Sequence, residues 1–200
     1  MSKKYSFKKY VHKSRWVSYW HQIREVLDLA PESVLVVGPG DGIVVDVLKK
    51  QIGEVKTFDI EKELNPDIVG SVDDMPLADD SFDVVLCAEV LEHLPFEKFE
   101  KSLSELKRVA GKYVVLSLPH FGPQVKLNFK IPMVKEVRIA VKIPFPLRHA
   151  PGGVHYWEIG KRGYPPGKIR KIISRYFKIE KEFIPLENQY HHFFVLKNKL

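Results

Sequence analysis

One cysteine stands in the 200 residues, so no internal disulfide can form, and Cys87 fits a reducing compartment. No apolar run approaches the ~20 residues that a membrane-spanning helix needs. The opening stretch MSKKYSFKKY is basic but lacks an apolar core and a small-residue cleavage site, so it does not read as a signal peptide. Internal repeats and low-complexity tracts are missing too, which excludes solenoids and arrays. These absences leave the expectation of a cytoplasmic globular chain, long enough to bury roughly 70% of its unfolded surface. Acids are missing locally. Lys3, Lys4, Lys8, Lys9, Lys13 and Arg15 open the chain without one, and further basic stretches cover 126–148 and 161–181, whereas 54–105 is acidic. The net charge of +7 favours anionic ligands, nucleic acid or a membrane surface. Solvated helix faces would look the same.

What is present alternates between short strands and helices. Helical spacing covers 14–30, with Trp16, Trp20, Ile23 and Leu27 on one side. An apolar strand at 34–37 leads into a helix over 43–51. Further strands are expected at 55–58, at Ile68 and Val69, at 82–88 and at 113–118. A helix over 96–110 repeats Phe99, Leu103, Leu106 and Val109 and is stopped by Gly111. A basic helix over 168–176 precedes a closing strand pair, 177–184 and 193–197. Between 121 and 158 prolines at 123, 132, 144, 146 and 151 interrupt any long element, so this reads as a functional insertion. The alternation predicts an α/β fold whose parallel sheet is covered on both faces and takes ligands at the carboxyl ends of its strands. One domain is expected: a basic segment and helix over 1–30, a core over 31–118, an insertion over 119–160, and a helix with strand pair over 161–200.

The stretch SVLVVGPGDG, residues 33–42, runs from the first strand into glycines at 38, 40 and 42. No Gly-Lys-Ser/Thr follows, which excludes a phosphate-binding P-loop. The third glycine of a dinucleotide fingerprint would fall at Ile43, so the spacing is G-x-G-x-G. Asp59, at the end of the second strand, can accept both hydroxyls of a ribose lying over the switch point. Without the glycine turn it would read as a surface strand terminator.

The run VLVVGPGDG, then FDI, then GSVDDMPLADDSFDVVLCAEVLEHL resembles the class I S-adenosylmethionine-dependent methyltransferases, particularly the small-domain group called type 11. The likeness covers about residues 33–118. It implies a Rossmann-like sheet of seven strands, mostly parallel with an antiparallel last strand, and S-adenosylmethionine as cofactor. It further implies cofactor contacts from Gly38, Pro39, Gly40, Asp41 and Gly42 at the turn, and from Asp59 and Ile60 at the ribose and adenine. Ser71 and Val72 would meet the adenine edge, Asp73 and Met75 would bind the cofactor from the same loop, and Ala88 and Glu89 would flank the sulfonium. Two positions depart from the family pattern: Val36 replaces an acid, and Ser71 replaces Asp or Asn.

The acceptor is harder to read. The Pro-Pro-Tyr/Phe turn of amine- and amide-methylating enzymes is missing after the fourth strand, where Cys87-Ala88-Glu89-Val90 stands. Tyr164-Pro165-Pro166 lies too far downstream to replace it. Oxygen methylation of a small metabolite is therefore the leading expectation, an anionic one if the basic segments face it. An RNA methyltransferase is the alternative, although no RRM or KH motif is present. A non-catalytic cofactor-binding regulatory protein is the third. Candidate catalytic groups are Glu92, His93 and His120, each with an ordinary structural explanation such as charging a helical turn. His191 and His192 read as edge decoration. Glu89, Glu92 and His93 are spaced to share one helical face. This Glu-x-x-Glu-His arrangement resembles the metal site of ubiquinone-pathway O-methyltransferases and of small-RNA 2′-O-methyltransferases. The resemblance implies His155 as a further ligand and Mg²⁺, Mn²⁺ or Zn²⁺ as the ion.

Overall fold

The computed structural model describes residues 11–130, 133, 137–145, 147–149 and 153–199. The lysines at 3, 4, 8, 9 and 135, and the prolines at 132, 146 and 151, lie outside the described residues. In chain order the elements are α1 (Lys13–Leu27), β1 (Ser33–Val37), α2 (Ile43–Leu48), β2 (Glu54–Asp59), β3 (Ile68–Val69) and β4 (Phe82–Ala88). Then come α3 (Phe99–Val109), β5 (Ala110–Pro119), β6 (Gln124–Phe129), β7 (Val137–Lys142), α4 (Pro166–Tyr176), β8 (Phe177–Phe183) and β9 (His191–Asn198).

Seven strands form one sheet in the order β3-β2-β1-β4-β5-β9-β8. The first five run parallel, and β9 is antiparallel to both β5 and β8. The continuous apolar sequence of β1 follows from two covered faces. Leu35 and Val37 point to one core with α3 and α4, while Val34 and Val36 point to the other with α2. In β4 the same alternation sends Val85 and Cys87 one way and Val84 and Leu86 the other. Each buried valine or leucine contributes roughly 1.5–3 kcal/mol.

Three expectations are corrected. Gly111 does not end α3. The helix stops at Val109 and Ala110 already belongs to β5, with Gly111 inside a register shift opposite Asp83. The apolar side of α1 is split: Ile23 and Leu27 pack against the core, Trp16 and Trp20 are exposed, and the helix also buries Ser18, Tyr19, Gln22, Glu25 and Val26. Polar burial holds because each group is answered: Glu25 accepts from Lys181 Nζ at 2.7 and 2.8 Å, and Ser18 meets His191. Lastly, the insertion holds a regular hairpin, since β6 and β7 pair antiparallel from Gln124↔Lys142 to Phe129↔Val137. Of the prolines within the described residues, Pro123 and Pro144 flank the two strands rather than interrupt them.

Candidate active site

All three glycines of the turn after β1 have left-handed backbone, with φ of 70°, 58° and 81°. A Cβ on Gly38 would also stand 2.5 Å from Val90 Cγ2, whereas one on Gly42 would meet nothing within 4 Å. Conformation therefore selects Gly42, and conformation plus close packing selects Gly38. Asp41 secures the turn: its carboxylate accepts from Tyr19 Oη at 2.7 Å and from the Ile43 amide at 3.2 Å. A cavity of about 320 Å³ adjoins Pro39, Gly40, Asp41 and Gly42 on the side of Thr57 and Asp67. Its lining includes none of Asp59, Ser71, Ala88 or Glu89, so it is not the crevice between the strand ends.

At the end of β2, Asp59 Oδ1 accepts the Glu61 amide at 2.8 Å, which sets the carboxylate against the chain reversal. Ile60 beside it is 68% exposed, an apolar surface open to a flat ligand. The next loop is more committed to the protein. The Ser71 hydroxyl donates to Asp73, and Asp73 also meets Lys98 Nζ at 3.0 Å. The Ser71 hydrogen bond, with Lys98, holds the Asp73 carboxyl below its ordinary pKa. Val72 and Met75 are buried in the core.

Glu89 follows β4 in a left-handed conformation, φ 56°. This breaks the helical geometry expected to put Glu89, Glu92 and His93 on one face. Only a single 3₁₀ turn, Leu91–His93, follows. Glu89 points elsewhere: Oε1 accepts from Ser117 Oγ at 2.9 Å, and Oε2 lies 3.7 Å from His191 Nε2. His191 Nδ1 in turn meets Ser18 Oγ at 2.7 Å, and Asn188 Nδ2 donates to the same hydroxyl at 2.8 Å. Burial pushes the Glu89 carboxyl up to about 8, the Ser117 hydrogen bond opposing it. Burial drives His191 down to about 3, so its ring is neutral at physiological pH.

The other three expected metal ligands do come together. Glu92, His93 and His155 each offer a ligand atom, all within 4.8 Å of one another. Glu92 is fully buried, and neither carboxylate oxygen has a hydrogen-bond partner. Its Oε1 lies 4.0 Å from His93 Nε2 and 3.9 Å from His155 Nε2. Each ring's Nδ1 is engaged on the far side, His93 with the Val154 carbonyl at 3.0 Å and His155 with Glu158 Oε1 at 3.2 Å. Donating Nδ1–H there leaves both Nε2 lone pairs aimed at the carboxylate, the orientation typical of metal-binding histidines. One carboxylate and two imidazoles suit a divalent cation. The donor set fits; Glu89 is not part of it.

The segment bearing His155 is pinned by Trp157, which is fully buried against Phe96 and Phe99 at ring distances of 5.1 and 4.8 Å. His120 sits at the end of β5 and is buried, not turned to solvent. Its Nδ1 is 3.1 Å from His192 Nδ1, and His192 Nε2 lies 2.7 Å from Glu182 Oε1. Arg170 Nε donates to both oxygens of Glu182 at 2.7 and 2.8 Å. Although a carboxylate so close would favour imidazolium, burial outweighs it and both rings are driven down to about 3. Neutral His192 thus donates to Glu182 and accepts from His120. Reading 191 and 192 as edge decoration is corrected as well, because β9 lies between β5 and β8. Their place beside the site depends on a sheet neighbour 72 residues away for the His120–His192 pair, which local pattern does not reveal.

The fold, with its crevice at the strand ends, is that of the class I methyltransferases. Residues 35–115 match the family described as a methyltransferase domain, which supports a methyl-transferring enzyme that uses S-adenosylmethionine. Among solved structures it is similar to the N-methyltransferase NodS from Bradyrhizobium japonicum in complex with S-adenosyl-L-homocysteine, with TM-score 0.66 and 9% identity over 100% of this chain and 94% of that one. It is also similar to magnesium protoporphyrin IX methyltransferase from Synechocystis with bound SAM, with TM-score 0.59 and 17% identity over 93% and 80%. A S-adenosylmethionine-dependent methyltransferase from Clostridium acetobutylicum gives TM-score 0.63 and 10% identity over 97% and 95%. A search of the curated proteins finds no significant match.

Proposed function

We propose that the protein methylates an oxygen of a small, anionic acceptor, binding S-adenosylmethionine between the glycine turn, Asp59, Ile60 and the end of β4. The cofactor supplies an activated methyl group on its sulfonium. The observation that carries the acceptor reading is the buried Glu89 carboxyl, raised to about 8 beside neutral His191. A hydroxyl acceptor must lose a proton as the new O–C bond forms, and a carboxylate of that pKa can take it near working pH. Ser117 orients Glu89 from β5. Arg15 lowers the pKa of both Glu89 and His191 through its charge, and Lys142 lowers that of His191, so two cations flank the pair and suit an anionic acceptor.

The test is methyl incorporation into a library of hydroxylated acids and phosphates from labelled S-adenosylmethionine. Because Glu89 must be ionised to act, kcat should rise with pH through about 8 and then level. Glu89→Gln should lower kcat by about 10²–10⁴-fold while cofactor affinity holds. A flat pH profile, or full activity in Glu89→Gln, defeats this assignment.

A second reading is favoured by the orphaned Glu92 carboxylate: Glu92, His93 and His155 hold a divalent cation. Bound there, it would lower the pKa of an acceptor hydroxyl. Elemental analysis of protein purified without chelator should find about one equivalent of metal in wild type and a loss of at least tenfold in affinity in Glu92→Gln. Metal-free wild type that stays active under chelation removes this reading and leaves the Glu89 route.

A further inference from the structure

The β6–β7 hairpin is amphipathic, but it faces the wrong way for a water-soluble surface. In its register Val125 pairs with Val141 and Leu127 with Ile139, and Phe129 continues the same face by alternation. These five side chains are between 46% and 56% exposed. The opposite, polar face, itself exposed along β6, makes the lysine contacts to the body. Lys126 Nζ donates to the Glu187 carbonyl at 3.3 Å, and Lys142 Nζ donates to the carbonyls of His120 and Gln189. A two-stranded hairpin is marginal in water by itself, and an apolar face this continuous marks an interaction surface.

The surface extends onto α1. Lys13 and Val17 border the same cleft as Leu127. At helical spacing from them, Trp16 and Trp20 are 47% and 56% exposed. Charge selects the occupant. Apart from Lys126 and Lys142, which reach the body, the sequence from 124 to 149 carries Lys130, Lys135, Arg138 and Arg148 against the single acid Glu136. A second copy of this chain would oppose like charges across the contact. Nucleic acid would answer the charge but not five aliphatic and phenyl side chains turned outward. An anionic bilayer answers both, with tryptophans suited to the headgroup level and cations to its surface potential.

We infer that the apolar face of β6–β7, together with Trp16 and Trp20, docks the protein on the surface of an anionic membrane without spanning it. This stands independently of the acceptor chemistry. The test is flotation of the full chain with vesicles of phosphatidylcholine alone and with 30% phosphatidylglycerol, an illustrative fraction on the order of natural anionic content. Wild type should float with the anionic vesicles at least tenfold more than with the neutral ones. Leu127→Ser with Phe129→Ser keeps the net charge and alters only exposed side chains, so thermal stability should hold while flotation falls at least tenfold. Trp20→Ala should give a partial loss. Absence of flotation overturns the inference. So does flotation that the double variant retains in full, since that is the general attraction of a basic protein. A wild-type dimer in sedimentation that the double variant breaks, with no flotation, assigns the face to self-association and also overturns it.

Discussion

At the scale of single residues the site depends on side chains held against their ordinary preferences. Gly38 and Gly42 occupy left-handed backbone, and so does Glu89, which has a side chain and a φ of 56°. Such a conformation persists only where its surroundings enforce it. Here the Glu89 amide donates to the Ser117 carbonyl at 3.1 Å while Ser117 Oγ holds the carboxylate. Asp59 shows the complementary case of a residue whose place was legible from sequence, as a strand end after a glycine turn is local information. Asp59→Ala should weaken S-adenosylmethionine binding by about 1.5–3 kcal/mol, the scale of a protected hydrogen bond to a charged group. Calorimetry on both proteins checks this, and unchanged affinity would reduce Asp59 to a strand terminator. Glu92 could be named from the sequence, but its isolation could not. An unpartnered carboxylate is a property of the packed neighbourhood.

At the scale of elements, α1 and the segment after the hairpin close over the strand ends by different means. The helix is attached by polar contacts, Tyr19 to Asp41, Ser18 to His191 and Glu25 to Lys181. Periodicity grouped Trp16 and Trp20 with Ile23 and Leu27, but only the latter two pack against the core, because the buried polar groups of the helix look like a solvent side. The segment carrying His155 is attached by an apolar plug. Trp157→Ala should cost about 3–5 kcal/mol, as for other large aromatic deletions, measured by urea unfolding. If Trp157 sets His155 in place, the same variant should also lose metal affinity when compared at a temperature where it stays folded. A loss below 1 kcal/mol would mean that the segment's other contacts, such as the Tyr156 amide to the Glu92 carbonyl at 2.8 Å, suffice to hold it.

At the scale of the whole molecule, the buried imidazoles couple folding to acidity. His120 and His192 have folded pKa values near 3 against an ordinary 6.5. Above pH 6.5 neither state binds the protons, and the stabilisation is complete. As pH falls below 6.5 the unfolded chain takes up protons that the native rings refuse, down to about pH 3. Stability should therefore decline across that window by up to about 1.4 kcal/mol per pH unit for each ring. Urea midpoints at pH 7, 6 and 5 check the decline, and His192→Gln should make it shallower. A slope unchanged by that substitution would show that His192 is not the group responsible.

The sequence by itself determined the order of strands and helices outside the insertion, the glycine turn, the acidic ends of β2 and β4, and hence the resemblance to the methyltransferases. Each rests on residues within one turn or one strand, where period, capping and backbone conformation act over a few positions. Only the tertiary structure decided which distant groups meet there. The placement of β9 beside β5 buries His191 and His192, which from sequence looked peripheral. The left-handed bend at Glu89 turns it away from the group that Glu92, His93 and His155 form. The inverted hairpin was likewise hidden among prolines, because which face turns outward is set by the lysine contacts to the body, not by alternation along the strands.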